Sequence, residues 1–86
     1  MKYRNRFYRN LDSIKDVEII DEVEAALAEI ESAADVSQIS CIKKMLGHKH
    51  AYRIRISDYR IGIYVQNDVV EIACLEHRSV IYKNFP

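Results

Sequence analysis

The chain has 86 residues, of which 49% are hydrophobic and 30% charged. It is long enough for one small domain over residues 1–86 and too apolar to be disordered. No apolar run approaches the roughly 20 residues of a membrane span, and the charged N-terminus is unlike a signal peptide, so we expect a cytoplasmic domain. Thirteen basic and thirteen acidic side chains give a formal net charge of zero, which is unusual for a nucleic-acid-binding domain.

The zero total conceals an asymmetry along the chain. Residues 1–40 carry five basic and nine acidic side chains, whereas residues 41–86 carry eight basic and four acidic ones. Such a dipolar domain can present a basic face to RNA while an acidic helix stays in solvent.

Cys41 and Cys74 have no CxxC or Cys/His ligand spacing. They predict two buried thiols in a reducing compartment, with no disulfide and no metal site.

Two helices are predicted in the first part of the chain. A very short strand is expected around Tyr3 to Arg6, and a short helix then places Phe7, Leu11 and Ile14 on one face. Asp16 can cap a second helix, and residues 33–40 form a connection in which Asp35 or Ser37 can cap a further turn. The buried stripe of the second helix is predicted at Val17, Ile20, Val23, Leu27 and Ile30.

From Cys41 the hydrophobic period changes from helical spacing to two. Ile42 to Leu46 fits a strand or a turn, residues 47–50 form a loop, and Ser57-Asp58 and Asn67-Asp68 are hairpin turns. The pattern predicts an α+β fold in which an N-terminal helical hairpin packs on a small antiparallel β-meander. The inward-facing residues of its three strands are predicted to be Tyr52, Ile54 and Ile56, then Ile61, Ile63 and Val65, then Val70, Ile72 and Cys74.

Arginines occupy the outward positions of this meander. Arg53, Arg55 and Arg60 would share the sheet face turned away from the helices. Like charges on neighbouring strands repel, so something must offset that repulsion. A bound polyanion is one answer, because guanidinium is permanently charged and matches phosphate oxygens bidentately. Pairing with Glu71 or Asp58 is the other.

The order of these segments resembles the RelE/ParE toxins of bacterial toxin–antitoxin pairs. The resemblance covers most of the chain and implies a fold similar to small microbial ribonucleases. For the RelE branch it implies a ribosome-dependent endoribonuclease that cleaves mRNA by attack of a ribose 2′-hydroxyl on the adjacent phosphate. It further implies no metal or other cofactor, and an acidic antitoxin as partner. The segments that carry it are Tyr52-Arg53-Ile54-Arg55, Asp58-Tyr59-Arg60, His77-Arg78 and Ile81-Tyr82.

The same resemblance assigns roles to individual residues. Arg60 and Arg78 would stabilise the phosphate, Tyr82 would transfer a proton or stack on a base, and His77 would act as acid or base near neutral pH. His77, Arg78 and Tyr82 are expected after the last strand, folding over the arginine face. The residues expected to bind RNA are Lys43, Lys44, Arg53 and Arg55.

Two departures from the family pattern and several alternatives accompany this interpretation. Ser57 stands where many relatives have Gly, and the short first strand could leave a sheet edge unpaired. Lys43 and Lys44 also fit a solvated helix or strand end. Ile81 and Phe85 flank Tyr82, so the alternative for Tyr82 is that the tail simply closes the core. The alternative functions are a ParE-like toxin that binds DNA gyrase without cleaving anything, or an inactive RelE-fold protein that binds an antitoxin.

Overall fold

Five strands form one sheet, with two helices on one face and a short helix on the other. The structure, a computed structural model, describes residues 1–86. Along the sheet the strand order is β1-β5-β4-β3-β2, and β1 runs parallel to β5 while all other pairs are antiparallel. The elements are β1 Lys2–Tyr3, α1 Asn5–Asp12, α2 Val17–Ser32, a 3-10 turn Val36–Gln38, β2 Ile42–Lys44, β3 Ala51–Ile56, β4 Tyr59–Gln66, β5 Val69–His77 and α3 Ile81–Asn84. The predicted α+β fold with an antiparallel meander is therefore confirmed, and β1 adds a parallel edge.

Helix α2 and the 3-10 turn begin at the capping residues that the sequence predicted. The Asp16 carboxylate accepts the Glu18 backbone N–H at 2.9 Å at the start of α2, and Asp35 accepts that of Ser37 at 3.1 Å. The predicted stripe is wrong at Val17, which is exposed. Ile19 is buried instead. It lies four residues before Val23 and eleven before Ile30, so the three buried side chains share one face of α2.

The N-terminal segment differs from the prediction in its boundaries. The first strand ends at Tyr3, since α1 already begins at Asn5, and α1 ends before Ile14, which is buried in the following loop. The short strand does not leave the rest of the β5 edge wholly unpaired. The Asn10 side chain of α1 accepts the Leu75 backbone N–H at 3.0 Å, so the helix takes over where β1 stops.

A β-bulge in β5 changes which side chains face the helices. Gly62 lies opposite Cys74 but Ile63 lies opposite Ile72, so Ala73 is an extra residue in β5. The insertion reverses the alternation beyond it. Cys74, predicted on the inner face, therefore points to the outer face, and Leu75 takes the inner position.

The domain has two apolar clusters, one on each face of the sheet. The larger one lies between the sheet and α1 and α2. The smaller one lies on the outer face and is closed by the C-terminal segment, which supplies Ile81 and Phe85. Its buried members are Met45, Ala51, Ala73, Cys74, Ile81 and Phe85, with Tyr64 packed against them. The outer face is thus partly covered, and its β2–β3 side remains open.

The two hairpin turns use different backbone geometries. Asn67 and Asp68 both have positive φ, of 53° and 64°, as a type I′ turn requires. In the turn between β3 and β4, Ser57 has φ 52°, a conformation that Gly adopts with less strain. Ser57 therefore occupies a position that favours Gly, which agrees with the Gly found there in many toxins of the RelE/ParE type.

None of the helices has both the length and the apolar character needed to cross a bilayer.

Candidate functional site

A shallow groove of about 330 Å³ lies on the open part of the outer sheet face. Strand pairing builds it, because Lys43 lies opposite Arg53, and Arg55 lies opposite Arg60. Along each strand, these side chains alternate with residues that pack in the larger cluster beneath the helices, so all four project to the outer face. The residues that line the groove are Cys41, Ile42, Lys43, Arg53, Arg55 and Arg60.

The groove cations are not neutralised by carboxylates of the protein. Glu71 pairs with Arg4 at 2.9 Å, and Asp58 lies 3.8 Å from the Arg78 guanidinium. The predicted alternative, in which Glu71 or Asp58 offsets the arginines of the sheet, is therefore wrong. The repulsion between Arg55 and Arg60 on adjacent strands is left for a ligand to relieve.

Arg60 is held at the β3–β4 turn by the backbone. Its Nη1 donates to the carbonyl oxygens of Ser57 and Tyr59, both at 2.9 Å. These bonds fix the half-buried guanidinium, while Nε and Nη2 make no hydrogen bond within the protein. That pair of donors is one of the edges with which guanidinium binds phosphate bidentately.

Tyr82 stands beside the groove on α3. Its ring centroid lies 5.4 Å from the Arg53 guanidinium carbon, within the range of a cation–π contact. The ring is 52% exposed, whereas Ile81 and Phe85 are buried. The alternative, in which the tail closes the core, is confirmed for Ile81 and Phe85, which are buried in the smaller cluster, whereas Tyr82 itself stays exposed.

The structure does not bring His77 into the groove. His77 is the last residue of β5, not a residue beyond it, and it pairs with Tyr59, whose ring centroid is 5.5 Å away. Its side chain therefore projects to the face opposite Arg60. Nδ1 accepts the Ser79 backbone N–H at 3.1 Å and lies 2.8 Å from Ser79 Oγ, which assigns the proton of the neutral ring to Nε2.

Arg78 and Lys44 lie at the margins of the site. Arg78 is exposed, and its backbone N–H donates to the Asp58 carbonyl at 2.7 Å, next to the turn that holds Arg60. Lys44 lies opposite Tyr52, on the other side of the pleat from Lys43. Of the eight predicted residues, the groove brings together Lys43, Arg53, Arg55 and Arg60, with Tyr82 beside them.

The exposure of Cys41 escaped the sequence interpretation. Cys41 was predicted to be buried, but it is exposed, has φ 60° and lines the groove. Cys74 is buried as predicted, and burial raises the pKa of its thiol to about 11. The sequence did contain a signal that β5 is buried on both faces. Four consecutive apolar residues, Ile72-Ala73-Cys74-Leu75, are typical of a strand that is covered on both sides.

Comparison with known proteins gives one sequence match and several structural ones. The chain is similar to toxin RelE3 of Methanocaldococcus jannaschii, with 47% identity over 45 residues. That region is 52% of this chain and 51% of the relative, so the match spans about half the length of the curated relative. No protein-family model matches the chain.

The structural matches cover far more of the chain. The RelB–RelE antitoxin–toxin complex from Methanococcus jannaschii contains a chain that superposes with a TM-score of 0.83 and 28% identity, over 100% of both chains. The archaeal RelE–RelB complex from Pyrococcus horikoshii gives a TM-score of 0.71 at 20% identity, over 92% of this chain and 93% of the other, which shows a shared fold. Local sequence identity and full-length structural similarity agree, and the chain is similar to RelE toxins in sequence over about half of its length and in structure over all of it.

Proposed function

We propose that this protein is the toxin of a type II toxin–antitoxin pair and inhibits translation by cleaving mRNA on the ribosome. The observation that carries the proposal is the open groove lined by Lys43, Arg53, Arg55 and Arg60, whose cations have no carboxylate partner in the protein. A polyanion that runs along this groove would relieve their mutual repulsion. The similarity to RelE toxins supports mRNA as that polyanion.

The proposed reaction is attack of a ribose 2′-hydroxyl on the adjacent phosphate. This reaction concentrates negative charge on the phosphorane oxygens, so preorganised cations stabilise its transition state more than its ground state. Arg60 offers the Nε/Nη2 edge to one phosphate, and Arg55 is its neighbour across the strands. Because the groove supplies its own cations, we propose a mechanism in which the toxin itself uses no metal ion.

Tyr82 is the proposed partner for the nucleotide beside the scissile phosphate. Its exposed ring can stack on a base, and its hydroxyl can exchange a proton with the 2′-hydroxyl or the leaving oxygen. The cation–π contact with Arg53 orients the ring toward the groove. Arg78 is proposed as an outer contact for the RNA backbone, and His77 is given no part in proton transfer, because it projects from the other face.

An Arg55→Ala variant tests the proposal on a reconstituted translation system. Arg55 is exposed and its side chain makes no hydrogen bond or ion pair, so truncation of that side chain should change the free energy of unfolding by less than about 0.5 kcal/mol. If it binds the reacting phosphate, cleavage should slow by roughly 10²–10³-fold, by analogy with the loss of an oxyanion donor. Primer extension on the mRNA measures the cleavage.

The matched control is Arg9→Ala, which removes an exposed arginine from α1, on the opposite side of the sheet. Equal losses in the two variants would indicate nonspecific electrostatics and contradict the groove assignment. Tyr82→Phe keeps the ring and removes the hydroxyl, so a fall in cleavage with unchanged stability would assign proton transfer to this residue. Full activity in Tyr82→Phe would restrict Tyr82 to stacking.

A second candidate function follows from the position of His77. The groove contains no histidine and no carboxylate, so the same surface could bind its target without cleaving it, as in a ParE-like gyrase poison or an inactive family member. Induction followed by pulse labelling separates these functions. Early loss of protein synthesis supports the nuclease, early loss of DNA synthesis supports gyrase binding, and unaffected growth supports an inactive protein.

We further propose that an acidic antitoxin silences this chain by covering the groove. The unpaired cations favour an acidic segment through electrostatic complementarity. The similar chain from Methanococcus jannaschii was solved in a complex with the antitoxin RelB. Co-purification from the native operon should recover a small acidic protein, and Arg55→Ala should weaken its binding more than Arg9→Ala does.

A further inference from the structure

Glu76 is the carboxylate directly opposite Arg60. The two residues are cross-strand partners in β5 and β4, so their side chains share the outer face of the sheet. Glu76 nevertheless does not pair with Arg60. Its carboxylate is bound by the Arg6 guanidinium at the start of α1 and accepts a hydrogen bond from Asn84 Nδ2 at 3.3 Å.

We propose that Arg6 is a positioning residue that withholds Glu76 from Arg60 and thereby keeps Arg60 available for an RNA phosphate. The inference rests on the proposed function of the groove as a phosphate site. Arg6 does not line the groove and would not touch RNA. Arg6 therefore affects the groove only indirectly, by neutralising the charge of Glu76.

The burial of Glu76 gives the proposal its physical basis. The Glu76 side chain is 14% exposed, and a carboxylate so far removed from water needs a cationic partner. Without Arg6, Glu76 still has a cationic cross-strand partner in Arg60, whose Nε/Nη2 edge makes no hydrogen bond in the protein. That edge binds a carboxylate with the same bidentate geometry as a phosphate. An Arg60–Glu76 pair would therefore remove one cation from the groove.

Arg6 also anchors the helix that carries Tyr82, and the experiment must separate the two effects. Arg6 Nη1 donates to the Asn84 carbonyl oxygen at 3.0 Å, at the end of α3. Loss of Arg6 could thus weaken RNA cleavage by loosening α3 alone. A second substitution, Glu76→Gln, distinguishes these causes, because it removes the competing charge without restoring the Arg6 anchor.

The expected result is loss of cleavage in Arg6→Ala and recovery in the double variant Arg6→Ala/Glu76→Gln. We expect Arg6→Ala to slow mRNA cleavage and weaken RNA binding by roughly ten- to a hundred-fold, by analogy with the loss of an outer-shell partner at a metal site. The control is Arg4→Ala, which also removes an N-terminal arginine from a β5 carboxylate. Its partner Glu71 lies opposite Tyr64, not opposite an arginine, so this variant should keep its affinity for RNA.

A readout without RNA makes the inference independent of the proposed function. In NMR spectra of the free protein, the Arg60 Nε–Hε resonance, assigned by its loss in Arg60→Ala, should shift in Arg6→Ala as the new ion pair forms. It should return toward the wild-type position in the double variant and stay in place in Arg4→Ala. An unmoved Arg60 resonance in Arg6→Ala, or a shift that persists in the double variant, would overturn the inference even if RNA is cleaved. If the resonance behaves as expected but no variant binds RNA, the proposed function fails and the switch between Glu76 partners stands.

Discussion

Phe85 of the C-terminal segment packs directly against Gly62 in β4. We expect the methyl group added by Gly62→Ala to displace this segment from the sheet. A Cβ at this position would lie 2.8 Å from Cys74 Sγ and 3.0 Å from both Cδ1 and Cδ2 of Phe85. Such separations are shorter than carbon–carbon van der Waals contact, so Gly62→Ala must displace a neighbour. Cys74 is fixed within β5, whereas Phe85 follows the four-residue helix α3 and belongs to no strand of the sheet. Phe85 is therefore the side chain that we expect to move.

The cost of this substitution can be estimated from the packing. Overpacking of a close-packed cluster typically costs about 1–3 kcal/mol. For a domain of this size, each kcal/mol lowers the melting temperature by roughly 4–8 °C. Displacement of Phe85 would also shift α3, on which Tyr82 reaches the Arg53 guanidinium. Gly62→Ala should thus lower both the melting temperature and the rate of mRNA cleavage.

A double-mutant cycle with Phe85→Val provides the decisive comparison. Valine lacks the δ carbons that the new methyl group would meet, so Gly62→Ala should cost less in the Phe85→Val background than in the wild type. Unfolding in urea, followed by circular dichroism, gives the four free energies of unfolding. Equal costs in the two backgrounds would show that the methyl group does not meet Phe85, and an unchanged melting temperature in Gly62→Ala would refute the packing argument altogether.

Two further predictions concern the thiols. In the native protein at pH 8, Ellman's reagent should modify the exposed Cys41 quickly and reach Cys74 only on unfolding; two fast thiols would contradict the burial of Cys74. The pKa of Cys74 is raised from its ordinary value of 9.0 to about 11 by burial, so the folded state keeps its proton where the unfolded state releases it. The contribution of this thiol to the free energy of unfolding should therefore be intact below pH 9 and fall as the pH rises to 11, by at most about 1.4 kcal/mol per pH unit. Urea unfolding between pH 8 and 10 should show a steeper decline for the wild type than for Cys74→Ala.

Local patterns predicted the elements whose geometry is set by near neighbours in the chain. Asp16 caps α2 because its carboxylate reaches a backbone N–H two residues away, and Asn67-Asp68 turns the chain because both residues tolerate positive φ. The groove cations followed from the same reasoning, since strict alternation in β3 puts Arg53 and Arg55 on the face away from the core.

Long-range contacts decided what the local patterns missed. The C-terminal segment was expected to carry its tyrosine over the arginines, but its burial through Ile81 and Phe85 depends on a gap at Gly62 and on Cys74 from another strand. Likewise, Cys41 is exposed because its backbone turns at φ 60° into the edge strand β2, a feature that composition alone does not predict.

One inserted residue, Ala73, accounts for the largest difference between the predicted and the observed site. Without the bulge, the alternation that places Ile72 on the inner face would have continued through Cys74 and left His77 on the outer face with Arg60. The bulge exchanges these positions, so that His77 packs on Tyr59 and Glu76 comes to lie opposite Arg60. The shift therefore removes a candidate proton donor from the groove and introduces a carboxylate. Arg6, which binds that carboxylate from α1, is then the residue that makes a bulged β5 compatible with a cationic groove.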